Sequence, residues 1–561
     1  MERNRKQKNR ILFFMTLTAA VLFAVLYADL EKQPGTEIIV EENKEIYKQD
    51  NLIYDAYISV FPTKDKEGAV ADFSSFSLIT DENRDYNPVL DCNVQILKEG
   101  EKPDAKTDLN SKNATIRVRG ASTRVAEQKS FKVKLEKNAD PFFGQTNLNI
   151  NKHTQDETKI ATKLQTDLLA EISNSFSYRT YFMRVWVRDT SLPETEQAFE
   201  YQGFYTEVEQ PNEDYLTARG LDGNAVMYKA NYFAFLPSDK IRNVNDPLYN
   251  EEEFETELGI QSGDNHEKLL EMITAVNDPS LDFKKVFHTY FDEDNYLTWL
   301  AFNLLMGNED LTSHNYILLS PAHSKRWYFL PWDFDGALDF EQYKDTWSHR
   351  LSLKSVQGLY ASVLHRKYLR LDGSTEKLQR KMEELLEKNI TREKVTQLVD
   401  SYKSVLEKAL LVPPDLEYMK ISSEELEERL DKIYDGVLQC YELYKENVTY
   451  PAPMFVARPE RLADGSVRFA WDESYSYQGL PVTYKIEVFD AVMDKTIFCQ
   501  ENIKETSWIL KEGLEPGTYF VRISAIDSEG HEQINLEHFN GQLADGNRVD
   551  VFGLLEFEIE Q

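Results

Sequence analysis

Two short apolar runs set the tightest constraint on how this chain folds: Tyr316-Ile-Leu-Leu319 and Arg326-Trp-Tyr-Phe-Leu330, joined by Ser320-Pro-Ala-His-Ser-Lys325. Apolar and aromatic runs of strand length around a polar, proline-bearing turn read as a β-hairpin. A hairpin returns the chain to where it started, so the residues before its first strand meet those after its second. Here Asp310-Leu-Thr-Ser-His-Asn315 precedes the hairpin and Trp332-Asp-Phe-Asp-Gly336 follows it. Asp310 and Asn315 are therefore expected beside Asp333. Phosphoryl transfer in protein kinases uses such a set: one Asp accepts the proton of the acceptor hydroxyl, while an Asn and a second Asp hold a metal on the nucleotide phosphates. The plain alternative is that these Asp and Asn side chains cap turns.

At 561 residues the chain is too long for one ordinary core, so two or three globular units are expected. Its 64 Lys and Arg against 96 Asp and Glu give a net charge of −32, a poor match for nucleic acid, whose phosphates need a basic surface. The same charge favours basic partners and divalent cations. Cys92, Cys440 and Cys499 are odd in number and far apart, which excludes a disulfide framework or a zinc spacing. Residues 1–10 hold Arg3, Arg5, Lys6, Lys8 and Arg10, and Ile11 to Ala28 carries no charge. We read 11–28 as a transmembrane signal anchor behind a cytoplasmic basic tail, with the bulk outside the cell membrane in a single-pass topology. A cleaved signal peptide is the alternative, but Val25-Leu-Tyr-Ala28 places Leu26 where a cleavage site carries a small residue. An extracytoplasmic kinase would stand where free ATP is scarce.

Residues 29–50 read as a charged linker. Tyr54–Phe61, Cys92–Leu97, Thr115–Arg119 and Ser130–Leu135 alternate apolar with polar residues, the mark of a sheet with one wet face. Asp156–Ser173 has helical spacing, and Tyr181–Val187 and Gly203–Glu209 return to strand. Tyr296–Met306 is a strongly apolar helix stopped at Gly307, and Thr375–Asn389, Arg392–Leu411 and Ser422–Glu446 are amphipathic helices. From 451 to 561 alternation resumes. Ser466–Trp471, Thr483–Phe489 and Gly517–Ala525 read as strands of a β-sandwich, with Trp471 a candidate core aromatic. Leu514-Glu-Pro-Gly-Thr-Tyr519 followed by Ala525-Ile-Asp527 resembles a fibronectin type III domain.

Six fragments in order carry a second resemblance: Arg119-Gly-Ala-Ser-Thr123, Lys129-Ser-Phe-Lys-Val-Lys134, Gly203-Phe-Tyr-Thr-Glu-Val-Glu-Gln210, Tyr228-Lys229, Gly307-Asn-Glu-Asp310 through Asn315, and Pro331-Trp-Asp-Phe-Asp335. Together they resemble the bacterial CotH family of spore-coat protein kinases. The resemblance implies an α+β, atypical two-lobed protein-kinase-like fold over 51–446, followed by the all-β sandwich. It also implies ATP and Mg²⁺ or Mn²⁺ as cofactors and a protein serine as acceptor. Asp310 then stands as catalytic base, with Glu309 its rival, and Asn315, Asp333 and Asp335 as metal ligands. Lys132 and Lys134 alternate with apolar residues and share one strand face, with Lys129 just before them; the resemblance favours a lysine here against the nucleotide phosphates. Arg119 and the small-residue loop containing Ser122 are candidates for backbone and side-chain phosphate contacts. Glu209 and Gln210 fall where the lobes join, as adenine or ribose contacts or as structural residues. Tyr228-Lys229 matches without an assigned role, and His314 reads as a packing residue. Neither the Gly-x-Gly-x-x-Gly of ordinary kinases nor a P-loop is present.

The reading that follows is a membrane-anchored kinase transferring the γ-phosphoryl of ATP to serine in a Ser-rich, basic protein. The alternatives are a non-catalytic surface scaffold of kinase-like shape, and a nucleotidyl transferase using the same metal and phosphate machinery.

Overall fold

The computed structural model describes residues 43–49, 52–64, 68–104, 111–308, 311–334, 336–338, 355–490, 495–542 and 548–560. The expected membrane segment, Asp310 and Asp335 lie outside the described residues. Among the described residues no helix is long and apolar enough to cross a membrane.

Seven strands near the N-terminus close into a barrel: β1 (Ile53–Phe61), β2 (Leu90–Lys98), β3 (Ala114–Arg119), β4 (Ser130–Leu135), β5 (Asn147–Asn151), β6 (Thr180–Asp189) and β7 (Glu200–Glu209), in the order β1-β2-β3-β4-β5-β7-β6. The seam is a parallel pairing of β6 with β1, Ile53 opposite Phe182 and Val60 opposite Asp189. Period-two alternation sends Ile116, Val118, Phe131, Val133, Leu148 and Ile150 into the barrel core. The intervening Arg117, Lys132 and Asn149 lie side by side across β3, β4 and β5, on the opposite face. The polar face expected from sequence is the outside of a closed barrel, but much of it is covered, Asn149 being buried and Lys132 half-buried.

The helix expected over Asp156–Ser173 is shorter, α1 being Ala161–Ala170. Asp156 explains the late start. Its carboxylate accepts from the amides of Thr158 and Ala161, each at 2.8 Å, and Lys159 between them takes φ +60°, outside helical geometry.

A second, four-stranded sheet follows, made of β8 (Val226–Ala230), β9 (Leu258–Ser262), β10 (Tyr316–Ser320) and β11 (Tyr328–Pro331), in the order β9-β8-β10-β11. The last two form the expected hairpin, Tyr316 opposite Pro331 and Leu319 opposite Tyr328. Helix α2 (Glu293–Leu305) lies against it, buried on nearly every side, as its unbroken apolar run requires. Asn295 of α2 locks the two together: its Oδ1 accepts from the Phe329 amide at 2.7 Å. Gly307, at φ +66°, ends the helix just before the loop that carries Asn315. Helices α3 (Ser374–Lys388), α4 (Arg392–Ala409) and α5 (Ser423–Asn447) complete this part, α5 opening on a capping box of Ser422 and Glu425. Barrel and helices are joined by Asp415, which pairs with buried Lys152 at 2.7 Å and accepts from the Phe204 amide at 2.6 Å. Gly203 makes room for it, since a Cβ there would stand 2.1 Å from Asp415 Oδ2.

Beyond 451 two antiparallel sheets enclose one core. Glu460–Arg461, Val467–Ala470 and Ser507–Leu510 form one; Thr496–Ile503, Val482–Phe489, Gly517–Asp527 and Glu532–Ile534 form the other, with Leu555–Ile559 also on Gly517–Asp527. Trp471 is buried in that core against Tyr484, ring centroids 5.5 Å apart. Cys92, Cys440 and Cys499 are all free thiols.

Candidate active site

The base of the hairpin is where the expected acidic and amide groups meet. The Trp332 amide donates to the Asn315 carbonyl at 3.2 Å, extending the ladder by one pair, so Asn315 stands one residue across from Asp333. Both residues adopt left-handed backbone, φ +58° at Asn315 and +60° at Asp333. Asn and Asp tolerate that region better than other side chains, yet each instance still costs about 1–2 kcal/mol. Paired strain of this kind at one level of a hairpin is a feature of functional sites.

The surroundings hold these residues firmly. Phe334 is buried and its carbonyl accepts from Gln165 Nε2 of α1 at 3.4 Å, whereas Asp333 beside it is exposed. Across the loop, the Phe233 amide donates to the Ser313 carbonyl at 2.8 Å. His314 shares a hydrogen bond with Ser313 Oγ at 2.9 Å and packs edge-on against Tyr232.

A cationic wall runs from Lys229 past Arg119 to Lys132. Lys229 sits on β8 opposite Ile317. Burial draws its pKa below the ordinary lysine value, the Asp333 carboxylate pushes it back up, and Arg119 lowers it again. Lys229 is therefore near enough to Asp333 and to Arg119 to feel both charges. Arg119 donates to the Asn151 side-chain oxygen. Gly120, at φ +108°, then turns the chain so tightly that a Cβ would lie 2.2 Å from Thr123 Oγ1. The backbone of Ser122 opens the helical turn Ser122–Val125; its side chain lies outside the described residues.

Lys132 and Lys134 share the outer face of β4 as expected, opposite Arg117 and Thr115. Burial, followed by the like charges of Arg117, Arg119 and Lys134, pulls the Lys132 pKa down to about 8. Its ammonium reaches Gln210 Oε1 at 3.4 Å. Gln210 also accepts from Asn149 at 3.1 Å and donates to Gln261 of β9 at 2.9 Å, so it ties the barrel to the second sheet.

Two expected nucleotide contacts are corrected. Lys129 is buried, and its ammonium donates to the carbonyls of Ile79 and Arg124, both at 2.8 Å, so it pins a loop and does not face the cationic wall. Glu209 is 1% exposed and lies between Arg179 and Arg219. Burial would raise its pKa, but the two guanidiniums outweigh that and hold it below the ordinary carboxylate range. All its lone pairs face protein donors, which leaves none for adenine or ribose.

Lys229 is the residue sequence reasoning named without placing. The available signal was a lone cation in the apolar run Val226-Met-Tyr-Lys-Ala230, a pattern that puts a charge on a buried strand only where something nearby balances it. Among the described residues no group of three His, Cys, Asp or Glu side chains converges on a metal position. Asn315 and Asp333 carry hard oxygen donors just beyond the ends of the two hairpin strands, with Asp333 open to solvent. Such oxygen donors are of the type that hard divalent cations take.

The profile of the CotH kinase protein family matches residues 116–439, well over half of the chain. No curated protein matches it. Two solved structures bear a distant likeness. A Helicobacter pylori proinflammatory kinase, CtkA, aligns at 11% identity and TM-score 0.28, covering 56% of this chain and 92% of that one. The Shewanella oneidensis toxin–antitoxin complex of HipA, HipB and operator DNA aligns at 12% and 0.23, covering 53% and 58%. At such scores neither likeness bears on activity. The span and order of the family match do, and the chain belongs to the CotH kinase family.

Proposed function

We propose that this protein is an ATP-dependent serine kinase whose active site lies between the base of the β10–β11 hairpin and the outer face of β3 and β4. The observation that carries the reading is Lys229 on β8, opposite Ile317 of the hairpin and within the fields of both Asp333 and Arg119. A half-buried ammonium so placed is available to an anionic ligand. Lys229, Arg119 and Lys132 would take the phosphate oxygens of ATP, in keeping with electrostatic stabilisation as the main catalytic term in phosphoryl transfer. A divalent cation held by Asn315, Asp333 and Asp335 would supply neutralisation of the charge on the phosphates. Asp310 would orient the acceptor hydroxyl and take up its proton as the hydroxyl oxygen bonds to the γ-phosphorus and the ADP oxygen leaves.

For the acceptor we propose a Ser-rich, basic protein. The net charge of −32 supports this, as does the helix Glu251–Glu257 with Glu251, Glu252, Glu253 and Glu255 exposed. That helix hydrogen-bonds through the Glu257 carbonyl to the amides of Asn231 and Tyr232, beside His314. Anchoring through residues 11–28, an extracytoplasmic position and a fibronectin type III identity for the sandwich belong to the same proposal.

The test is incubation of the full chain with γ-labelled or α-labelled ATP, Mn²⁺ and a Lys/Ser-rich peptide. Label entering only from the γ position supports the kinase. Label from the α position would establish nucleotidyl transfer instead, and no label from folded protein would leave a binding scaffold.

A further inference from the structure

The C-terminal sandwich is more than an appendage. Tyr360 is fully buried, and a buried phenol needs a partner for its hydroxyl. Both partners come from one sandwich loop: the Tyr360 hydroxyl meets those of Tyr475 and Tyr477, the latter at 2.9 Å. The same loop is fixed at several further points. The Ala452 amide donates to the Tyr475 carbonyl at 2.8 Å, Gln478 Nε2 donates to the Val448 carbonyl, and Glu473 pairs with Arg370. Tyr475 and Tyr477 also pack against the main core of the helical part.

From Tyr360 two short connections reach the loop that carries Asn315. In the first, the Val363 amide donates to the Ala234 carbonyl at 3.1 Å, and the adjoining Phe233 amide donates to the Ser313 carbonyl at 2.8 Å. In the second, buried His365 bonds through Nδ1 to the Tyr296 hydroxyl at 2.9 Å, and the Leu311 backbone lies close to its ring. The first connection holds Ser313 and the second passes beside Leu311, on either side of Thr312.

We infer that the sandwich holds the catalytic loop in its working geometry through the Tyr360–Tyr475–Tyr477 hydroxyl cluster, with Tyr360 and His365 as positioning residues. The effect on turnover rests on the kinase reading; the effect on the loop does not. The loop carries Asn315, a proposed metal ligand, so loosening it should lower turnover and can weaken metal-dependent ATP binding with it.

The test is a pair of full-length variants, Tyr475→Phe/Tyr477→Phe and Tyr360→Phe, which keep the rings and remove the hydroxyls from either side. Losing one buried hydrogen bond corresponds to roughly a fivefold change in a local opening equilibrium. Both variants should show amide hydrogen exchange faster by about that factor at Phe233, Val363 and residues 311–316, with the β4–β5 ladder unchanged. Turnover should fall by a similar roughly fivefold factor. Unchanged exchange at 311–316 would overturn the inference, as would exchange rising equally in the barrel or only one of the two variants showing the pattern. If the wild type transfers no phosphate, the kinase reading fails while the exchange data still decide the coupling.

Discussion

Two clusters of charge border the join between the barrel and the second sheet, and they are built on opposite principles. In Arg179–Glu209–Arg219 the carboxylate is buried and receives donors from both arginines and from the Arg179 amide. In Arg119–Lys229–Asp333 the charges influence one another across space while Asp333 remains exposed. The first cluster is closed and holds the fold; in the second Asp333 faces solvent, and that is where we propose phosphate and metal bind. Motif matching placed Glu209 in the site and left Lys229 without a role. The bonds Glu209 already makes argue for a structural role there, and the nearness of Lys229 to Asp333 is the ground for proposing one in the site.

The comparison breaks most visibly at the two carboxylates. Asp333→Asn keeps a side chain that tolerates left-handed backbone but removes the anionic donor, so calorimetry should find ATP·Mn²⁺ binding lost with the melting temperature unmoved. Glu209→Ala should do the reverse. Two buried guanidiniums left without their anion destabilise a fold by about 3–5 kcal/mol, read as a lowered denaturation midpoint, while protein that remains folded keeps its ATP affinity. If Glu209→Ala weakens ATP binding without loss of stability, the closed cluster is functional after all.

Lys229→Met sharpens the same contrast on the cationic side. Losing a hydrogen bond to a charged phosphate should weaken ATP binding by about tenfold or more, measured by titration. Stability should hold or rise slightly, because a partly buried charge is removed.

The smallest effect is a pH dependence. With a folded pKa near 8, Lys132 loses its charge as pH rises from 7 to 9, so ATP affinity should fall a few-fold across that range and stay flat in Lys132→Arg. The stability sign is opposite. Between about 8 and its ordinary 10.5 the unfolded lysine binds a proton that the folded one does not, so this residue's contribution to stability rises with pH in that window.

How much of this was legible in sequence follows from the range of the interactions. The hairpin, α2 with its stop at Gly307, and the capped start of α5 are local, and the runs and caps that make them are contiguous. Barrel closure rests on Ile53 meeting Phe182, a pairing that no local pattern announces. The late start of α1 depends on Asp156 competing for helix amides, which spacing alone does not reveal. Within the site, alternation correctly placed Lys132 and Lys134 on one face. Whether a charge there was already bonded depended on Ile79 and Arg124 for Lys129, and on Arg179 and Arg219 for Glu209, all brought in from other turns of the chain.

The central claim is that the hairpin base separates acceptor chemistry from metal and nucleotide binding, and one paired measurement on Asp310→Ala tests it most directly: ATP·Mn²⁺ affinity by calorimetry and γ-phosphoryl transfer to a serine peptide. The account predicts affinity close to wild type with turnover lowered by about 10²-fold, the usual size of a general-base contribution. Loss of ATP binding in Asp310→Ala, or transfer at the wild-type rate, would contradict it.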